Sequence, residues 1–288
     1  MKRKAFSCRH KLNTMKQILV PTDFSPASHN AARYALSLAR EYGADLILLN
    51  VTPPSVIVHD SMFASVMITQ AEIIQQNRDL LDKEMVALDG ENQTNIKALA
   101  IEGFFAEVIP ETAKNQEADL IVMGMKGKGK SNSLFGSTTT AIIRKGNLPV
   151  LVIPENASYK KPGNITLASD YKSDIEPGCC SALLSLAEKF KAPVQILHVE
   201  RKEDDLSREK AVVKMRTSLL FKTVGHTFHT ITENNVEEGI HKFMEENPTD
   251  LLAMVAGRHN LFERLFGKVH TKEMSYQSKI PLLVLKAI

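Results

Sequence analysis

The chain has 288 residues, 43% hydrophobic and 24% charged. At about 150 residues per domain this length favours two domains, and the composition excludes a disordered or fibrous chain. The net charge of +3 comes from residues 1–14, which hold five basic residues and no acidic one. The remaining 31 basic and 33 acidic residues predict that the protein does not bind nucleic acid.

The sequence contains neither a membrane-spanning segment nor a disulfide framework. No run of 18 apolar residues occurs, so we expect no membrane span. Residues 1–14 lack the apolar core of a secretion signal, and we treat them as an extension outside the fold. Cys8, Cys179 and Cys180 match neither a disulfide pattern nor paired zinc-ligand spacings. These features predict a reducing, cytoplasmic location.

Apolar strand patterns alternate with helical patterns from residue 15 onward. Near-continuous apolar runs are typical of parallel strands that are buried on both faces of a sheet. Gly43 is placed to end the first helix as its C-cap. The predicted strands are 16–21, 45–51, 96–101, 120–123 and 150–153, and the predicted helices are 28–42, about 67–88, 106–115 and 137–145.

The same order of elements then begins again. The sequence ILVPTD at 18–23 is matched by ITLASD at 165–170, with an offset of 147 residues. DLIVM at 119–123 recurs as DLLAM at 250–254, with an offset of 131 residues. Self-similarity of this kind indicates that one fold has been duplicated.

The repeat fixes the predicted fold class. We predict an α/β chain of two tandem doubly wound domains, each with a five-stranded parallel sheet flanked by helices. The first domain covers 15–155 and the second 164–288, with a polar linker at 156–163. We refer to these two domains as the first half and the second half. Their last strands, 150–153 and 282–285, are apolar edge strands that we expect to pair within the chain.

A glycine-rich loop separates the fourth strand from the fourth helix of the first half. Gly124, Gly127 and Gly136 allow a phosphate to approach the backbone, and the free N–H groups of the next helix attract an anion. Ser137, Thr138 and Thr139 add hydroxyl groups. The loop therefore predicts a phosphate site, while a flexible basic hairpin followed by a capped helix remains the alternative.

The same stretch also matches the P-loop pattern G-x4-G-K-S from Gly124 to Ser131. A P-loop helix would start near Lys130, yet the residues there form helices poorly and helical spacing resumes only after Gly136. The following strand also ends without the magnesium-binding Asp that such sites use. We therefore favour a phosphate loop of another kind.

A second candidate contact lies at the end of the first strand. Pro21, Thr22 and Asp23 stand where open parallel sheets bind ligands, and the Asp23 carboxylate can accept hydrogen bonds from an adenine or a ribose. Alternatively, Asp23 or Ser25 caps the helix that follows, with Pro26 in its first turn. The two interpretations are compatible.

In this order, the Pro21-Thr22-Asp23 turn, Val51, Met123-Gly124-x-x-Gly127 and Gly136-Ser137 resemble the universal stress protein family, in its tandem form. The resemblance implies ATP bound by the glycines and the Ser/Thr residues, with Asp23 and Val51 about the adenosine. The family pattern has nine residues between the last two glycines, and here there are eight.

The function that the resemblance implies is that of an ATP-binding stress-response regulator with little or no turnover. We expect ATP, with Mg²⁺ on its phosphates, in the first half only, because Val255, Arg258 and Lys268 occupy the places of Gly124, Gly127 and Ser137 in the second half. A slow ATP-hydrolysing enzyme and an interaction scaffold without nucleotide are the alternatives. The expected partners are the adenine nucleotide, the other half of the chain and a possible second copy in a homodimer.

Overall fold

The computed structural model describes residues 15–54, 69–91, 93–125, 137–171, 178–200, 208–256 and 279–286. In the first half the elements are β1 Gln17–Pro21, α1 Pro26–Tyr42, β2 Asp45–Thr52, α2 Gln70–Leu88, β3 Ile96–Glu102, α3 Phe105–Asn115, β4 Leu120–Met125, α4 Ser137–Lys145 and β5 Val150–Pro154. In the second half they are β6 Ile165–Ala168, α5 Ser181–Phe190, β7 Val194–Glu200, α6 Arg208–Leu220, β8 His226–Thr232, α7 Val236–Glu246, β9 Leu251–Ala256 and β10 Leu282–Lys286.

All ten strands join in one sheet, in the order β3-β2-β1-β4-β5-β10-β9-β6-β7-β8. The five strands of each half run parallel to one another, and the two sets meet where β5 pairs antiparallel with β10. At this junction Leu151 lies opposite Leu283. The predicted α/β class, with largely parallel strands flanked by helices, is confirmed.

Helices cover both faces of the sheet, and each face has its own apolar core. Along β2, Leu46 and Leu48 belong to one core and Ile47 and Leu49 to the other, as the alternation of side chains along a strand requires. The first core is closed by α1, α2, α5 and α6, and the second by α3, α4 and α7. Both cores extend across the junction between the halves.

The ends of α1 and α2 follow local capping chemistry. The Ser25 side chain accepts a hydrogen bond from the N–H of Ser28, and Gly43 ends α1 with a left-handed φ of 64°. Of the two candidates, Ser25 is the residue that caps the start of α1, and Gly43 is its C-cap as predicted. α2 begins at residue 70 rather than near 67, because Thr69 and Glu72 form a capping box there.

The repeated DLIVM and DLLAM segments begin with aspartates that anchor neighbouring strands. An Asp119 carboxylate oxygen accepts hydrogen bonds from the N–H groups of residues 16–17, at 2.6 and 3.1 Å. In the same way Asp250 accepts from the N–H groups of residues 163–164, at 2.9 and 3.0 Å. Each aspartate therefore fixes the start of the first strand of its half, which explains its recurrence at the same place.

Asp250 also accepts a hydrogen bond from the Lys160 ammonium, at 2.6 Å. Partial burial works to raise the pKa of Asp250, but Lys160 and the two N–H groups together hold this pKa below its ordinary value of 3.8. Because the pKa of Asp250 is lower in the folded state than in the unfolded state, the ionised carboxylate stabilises the folded protein at neutral pH. This stabilisation is lost as the pH falls through the folded-state pKa.

The helices in the described part of the chain are all too short or too polar to cross a bilayer.

We predict that Asp250→Asn lowers the free energy of unfolding at neutral pH by about 1–2 kcal/mol, because the ion pair with Lys160 is lost and one acceptor oxygen becomes a donor. The deficit should shrink at acidic pH, once the pH has fallen through the depressed pKa and the wild-type carboxyl group is also protonated. Asp45→Asn, at an exposed position at the start of β2, is the control and should leave stability unchanged. Denaturant unfolding checks both, and an equal deficit at both pH values would contradict the role of the charge.

Candidate functional site

The candidate site lies at the carboxyl edge of the sheet between β1 and β4. The strand order reverses there, since β1 pairs with β2 on one side and with β4 on the other. Ile18 pairs with Leu120 and Leu19 with Ile121, so the carboxyl ends of β1 and β4 point to the same edge of the sheet. In open α/β sheets, ligands bind in the crevice that such a reversal creates.

The structure brings most of the predicted site residues to this edge. Pro21 ends β1 and is followed by Thr22 and Asp23, Val51 is near the end of β2, Met123 and Gly124 are near the end of β4, and Ser137, Thr138 and Thr139 form the first turn of α4. The side chains of Val51, Met123 and Thr139 are buried. Gly127, Gly136 and the remainder of the P-loop pattern lie outside the described residues.

The turn after β1 has a defined geometry. Phe24 adopts a left-handed φ of 59°, and Asp23 lies exposed at the surface of the turn with its carboxylate accepting from the N–H of Ser25 at 3.1 Å. The Asn50 side chain donates to the carbonyl of Thr22 at 2.9 Å and so ties the turn to β2. The turn therefore presents the Asp23 carboxylate at the edge, while Ser25 caps α1.

A buried carboxylate supports this turn from α2. Glu84 is only 4% exposed. One of its oxygens lies 3.1 Å from the Thr22 hydroxyl, and the other lies 2.7 Å from Nδ1 of His29. A carboxylate only accepts, so Thr22 and the His29 ring nitrogen are the donors. The Thr22 hydroxyl accepts in turn from the N–H of Phe24 at 3.1 Å.

Sequence reasoning did not find Glu84. Its partner Thr22 is 62 residues away, and α2 carries many acidic and amide side chains that are typical of a solvated helix. The available signal was its spacing of three residues from Leu81, which puts both side chains on the face of α2 that packs inward. A carboxylate on that face must find buried partners.

Gly124 has a structural role that the sequence did not reveal. A Cβ atom built at this position would lie 2.3 Å from the carbonyl oxygen of Ala27 and 2.9 Å from the backbone nitrogen of Ser28. The first turn of α1 therefore packs directly on the backbone of β4, and only glycine permits this contact. The absence of a side chain at Gly124 serves the packing of α1 before it serves any ligand.

The chain contains a known domain. A family model described as the universal stress protein family matches residues 14–154. A universal stress protein of Methanocaldococcus jannaschii is 32% identical over 146 residues, which cover 50% of this chain and 85% of that protein. The chain belongs to the universal stress protein family. Universal stress protein G of Escherichia coli O157:H7 is 31% identical over 140 residues, covering 48% of this chain and 98% of that protein.

The universal stress protein fold extends through both halves. The crystal structure of a universal stress protein from Archaeoglobus fulgidus superimposes with a TM-score of 0.68 at 16% identity. The match covers 94% of this chain and 98% of that one, so the whole two-part architecture is shared.

The second half keeps the framework of the site with different residues. Ser169, Tyr171 and His198 take the places of the threonine, phenylalanine and asparagine at the turn of the first half. His198 Nδ1 lies 2.9 Å from the Ser169 carbonyl, to which it donates, and Tyr171 has a left-handed φ of 52°. Both halves of this universal stress protein therefore have a turn after their first strand that is hydrogen-bonded to the second strand.

The two halves differ at the residue on which α1 packs. Val255 stands in the second half where Gly124 stands in the first. A side chain at this position is incompatible with a helix packed as α1 is.

We predict that Glu84→Ala lowers the free energy of unfolding by about 2–4 kcal/mol, because it leaves the Thr22 hydroxyl and His29 without their shared acceptor. Asp82→Ala, at an exposed position two residues earlier in α2, is the matched control and should cost at most about 0.5 kcal/mol. Denaturant unfolding compares the two variants. Equal losses would show that the buried carboxylate does not support the turn.

Proposed function

We propose that this universal stress protein binds ATP in its first half and acts as a stress-response regulator with little or no turnover. The observation that carries the proposal is the meeting of the Asp23 turn, the end of β4 and the N-terminus of α4 at one reversal of strand order. Family membership supports the same assignment. A cytoplasmic location remains part of the proposal.

The chemistry of this edge suits a nucleotide. We place the adenosine against Pro21, Thr22, Asp23, Val51 and Met123, where the exposed Asp23 carboxylate accepts hydrogen bonds from sugar hydroxyls. The phosphates lie against the backbone of Gly124, Gly127 and Gly136 and against the first turn of α4, with Ser137, Thr138 and Thr139. The free N–H groups of that turn favour an anion, and Mg²⁺ is held by the phosphates themselves.

The second half lacks the corresponding cradle. Val255, Arg258 and Lys268 take the places of Gly124, Gly127 and Ser137. In this alignment an arginine side chain replaces Gly127, where we propose that a phosphate approaches the backbone. We therefore propose one nucleotide per chain, with the second half as a structural or differently liganded partner.

The polar groups at the described part of the edge support the proposal of low turnover. The buried carboxylate of Glu84 is engaged by Thr22 and His29 and is not presented to a substrate. Asp23 accepts from the backbone of its own turn. The Thr22 hydroxyl donates to the Glu84 carboxylate, but both side chains are buried, so this pair is not presented to a substrate as a nucleophile and its base.

The pairing of β5 with β10 bears on assembly. An apolar edge strand left unpaired is open to pairing with another chain, and here each half supplies the strand that covers the other. We propose that the two halves satisfy this contact within one chain. A homodimer, if formed, would then use another surface.

We predict that Gly127→Val weakens ATP binding at least tenfold, or about 1.4 kcal/mol, because the side chain blocks the approach of phosphate to the backbone. Gly127 is a better test than Gly124, whose replacement would also displace α1. The matched control is Arg258→Val, which puts the same side chain at the corresponding position of the second half and should leave the affinity unchanged. Isothermal titration calorimetry on the full chain measures both.

Equal ATP affinity in the Gly127→Val variant and the wild type would overturn the assignment of the loop. Weaker ATP binding by the Arg258→Val variant would assign the nucleotide site to the second half instead. If the purified wild-type protein steadily releases phosphate from ATP and the Gly127→Val variant does not, the protein is an ATP-hydrolysing enzyme and not a regulator with little turnover.

A further inference from the structure

We propose that Lys286, in the last strand of the second half, is a positioning residue for the nucleotide site of the first half. It holds the carboxyl end of α4, the helix whose amino end we assign to the phosphates. The part of this proposal that concerns the nucleotide rests on the proposed function, whereas the contact of Lys286 with α4 is observed in the structure.

The register of the sheet brings Lys286 to this helix. Val284 of β10 lies opposite Val150, the first residue of β5, so the end of β10 runs past the start of β5. α4 ends at Lys145, shortly before β5 begins. The Lys286 ammonium donates to the carbonyl of Ile143 at 3.1 Å and to that of Arg144 at 2.7 Å.

These two bonds satisfy groups that a helix cannot satisfy by itself. The last four carbonyls of an α-helix have no partner within the helix, and the carboxyl end carries a partial negative charge. An ammonium at that end supplies both donors and positive charge. Burial lowers the pKa of Lys286, as expected for a lysine whose side chain is packed between the strand and the helix rather than free in water.

The last strand of the first half has no lysine at the position of Lys286. In the alignment of the two last strands, Val150 corresponds to Leu282 and Pro154 therefore corresponds to Lys286. Proline has no side-chain donor, so the first half cannot make the same contact with the second. The cation is supplied by the half with the degenerate loop to the half with the glycine loop.

Through Lys286, the second half contributes to nucleotide binding by the first half. α4 has nine residues, and helices of this length are marginal without tertiary support. Holding its carboxyl end keeps the first turn ordered before a phosphate arrives. Without Lys286, α4 keeps the packing of Ile142 and Ile143 in the second core but loses two hydrogen bonds at its carboxyl end. The apparent affinity then falls in proportion to the fraction of molecules in which the first turn of α4 is formed.

The test compares full-length variants. Lys286→Met keeps most of the apolar stem and removes the ammonium, and Lys286→Arg restores a cation. The matched control is Lys161→Met, which breaks the ion pair between Lys161 of the linker and Glu41 of α1, at 2.9 Å, without touching α4. The two readouts are amide hydrogen exchange of peptides covering 137–145 without nucleotide, and ATP affinity by calorimetry.

We expect exchange in α4 to accelerate about tenfold in Lys286→Met and ATP affinity to fall about threefold or more, with both largely restored in Lys286→Arg and unchanged in Lys161→Met. Unchanged exchange in Lys286→Met would overturn the contact. Faster exchange with unchanged affinity would overturn the positioning role. A wild-type protein that binds no ATP would instead refute the proposed function, while the exchange experiment would still decide the contact.

Discussion

The antiparallel pairing of β5 with β10 determines the shape of the whole molecule. Leu151 and Leu283 face each other there at 2% and 0% exposure, so the junction is as buried as any strand inside either half. Because this pairing makes one sheet out of two, the helices on each face share a single core across the halves. The same register carries Lys286 to the end of α4. The sheet is thus also the route by which one half can influence the other.

The two halves keep what folds the domain and differ in what would hold a phosphate. Asp119 and Asp250 anchor the first strand of their halves with the same pair of backbone hydrogen bonds. Asn50 and His198 tie the first turn to the second strand of their halves through an amide and an imidazole, each donating to the carbonyl at the corresponding position. The glycine at the end of β4, in contrast, is a valine in β9. Because Gly124 also serves the packing of α1, this one difference concerns folding as well as the proposed phosphate loop.

Much of the fold could be predicted because its signals are local. Buried parallel strands are continuous apolar runs, and Gly43 and Ser25 mark the ends of α1 through their own backbone chemistry. For the site, the sequence predicted the loops that contribute residues but not the contacts that hold those loops in place. The contacts of Glu84, of Gly124 with Ala27 and of Lys286 with α4 all join residues at least 55 positions apart. Such contacts depend on the register of the sheet, which a pattern of residue types does not specify.

The central claim is that one half of this universal stress protein binds ATP while the other supports it. Equilibrium dialysis of the full chain at saturating ATP tests this claim most directly, because it counts binding sites without any assumption about their residues. The account predicts a stoichiometry near one ATP per chain. Two ATP molecules per chain would show that Val255 and Arg258 do not close the second site, and would contradict the division of roles between the halves.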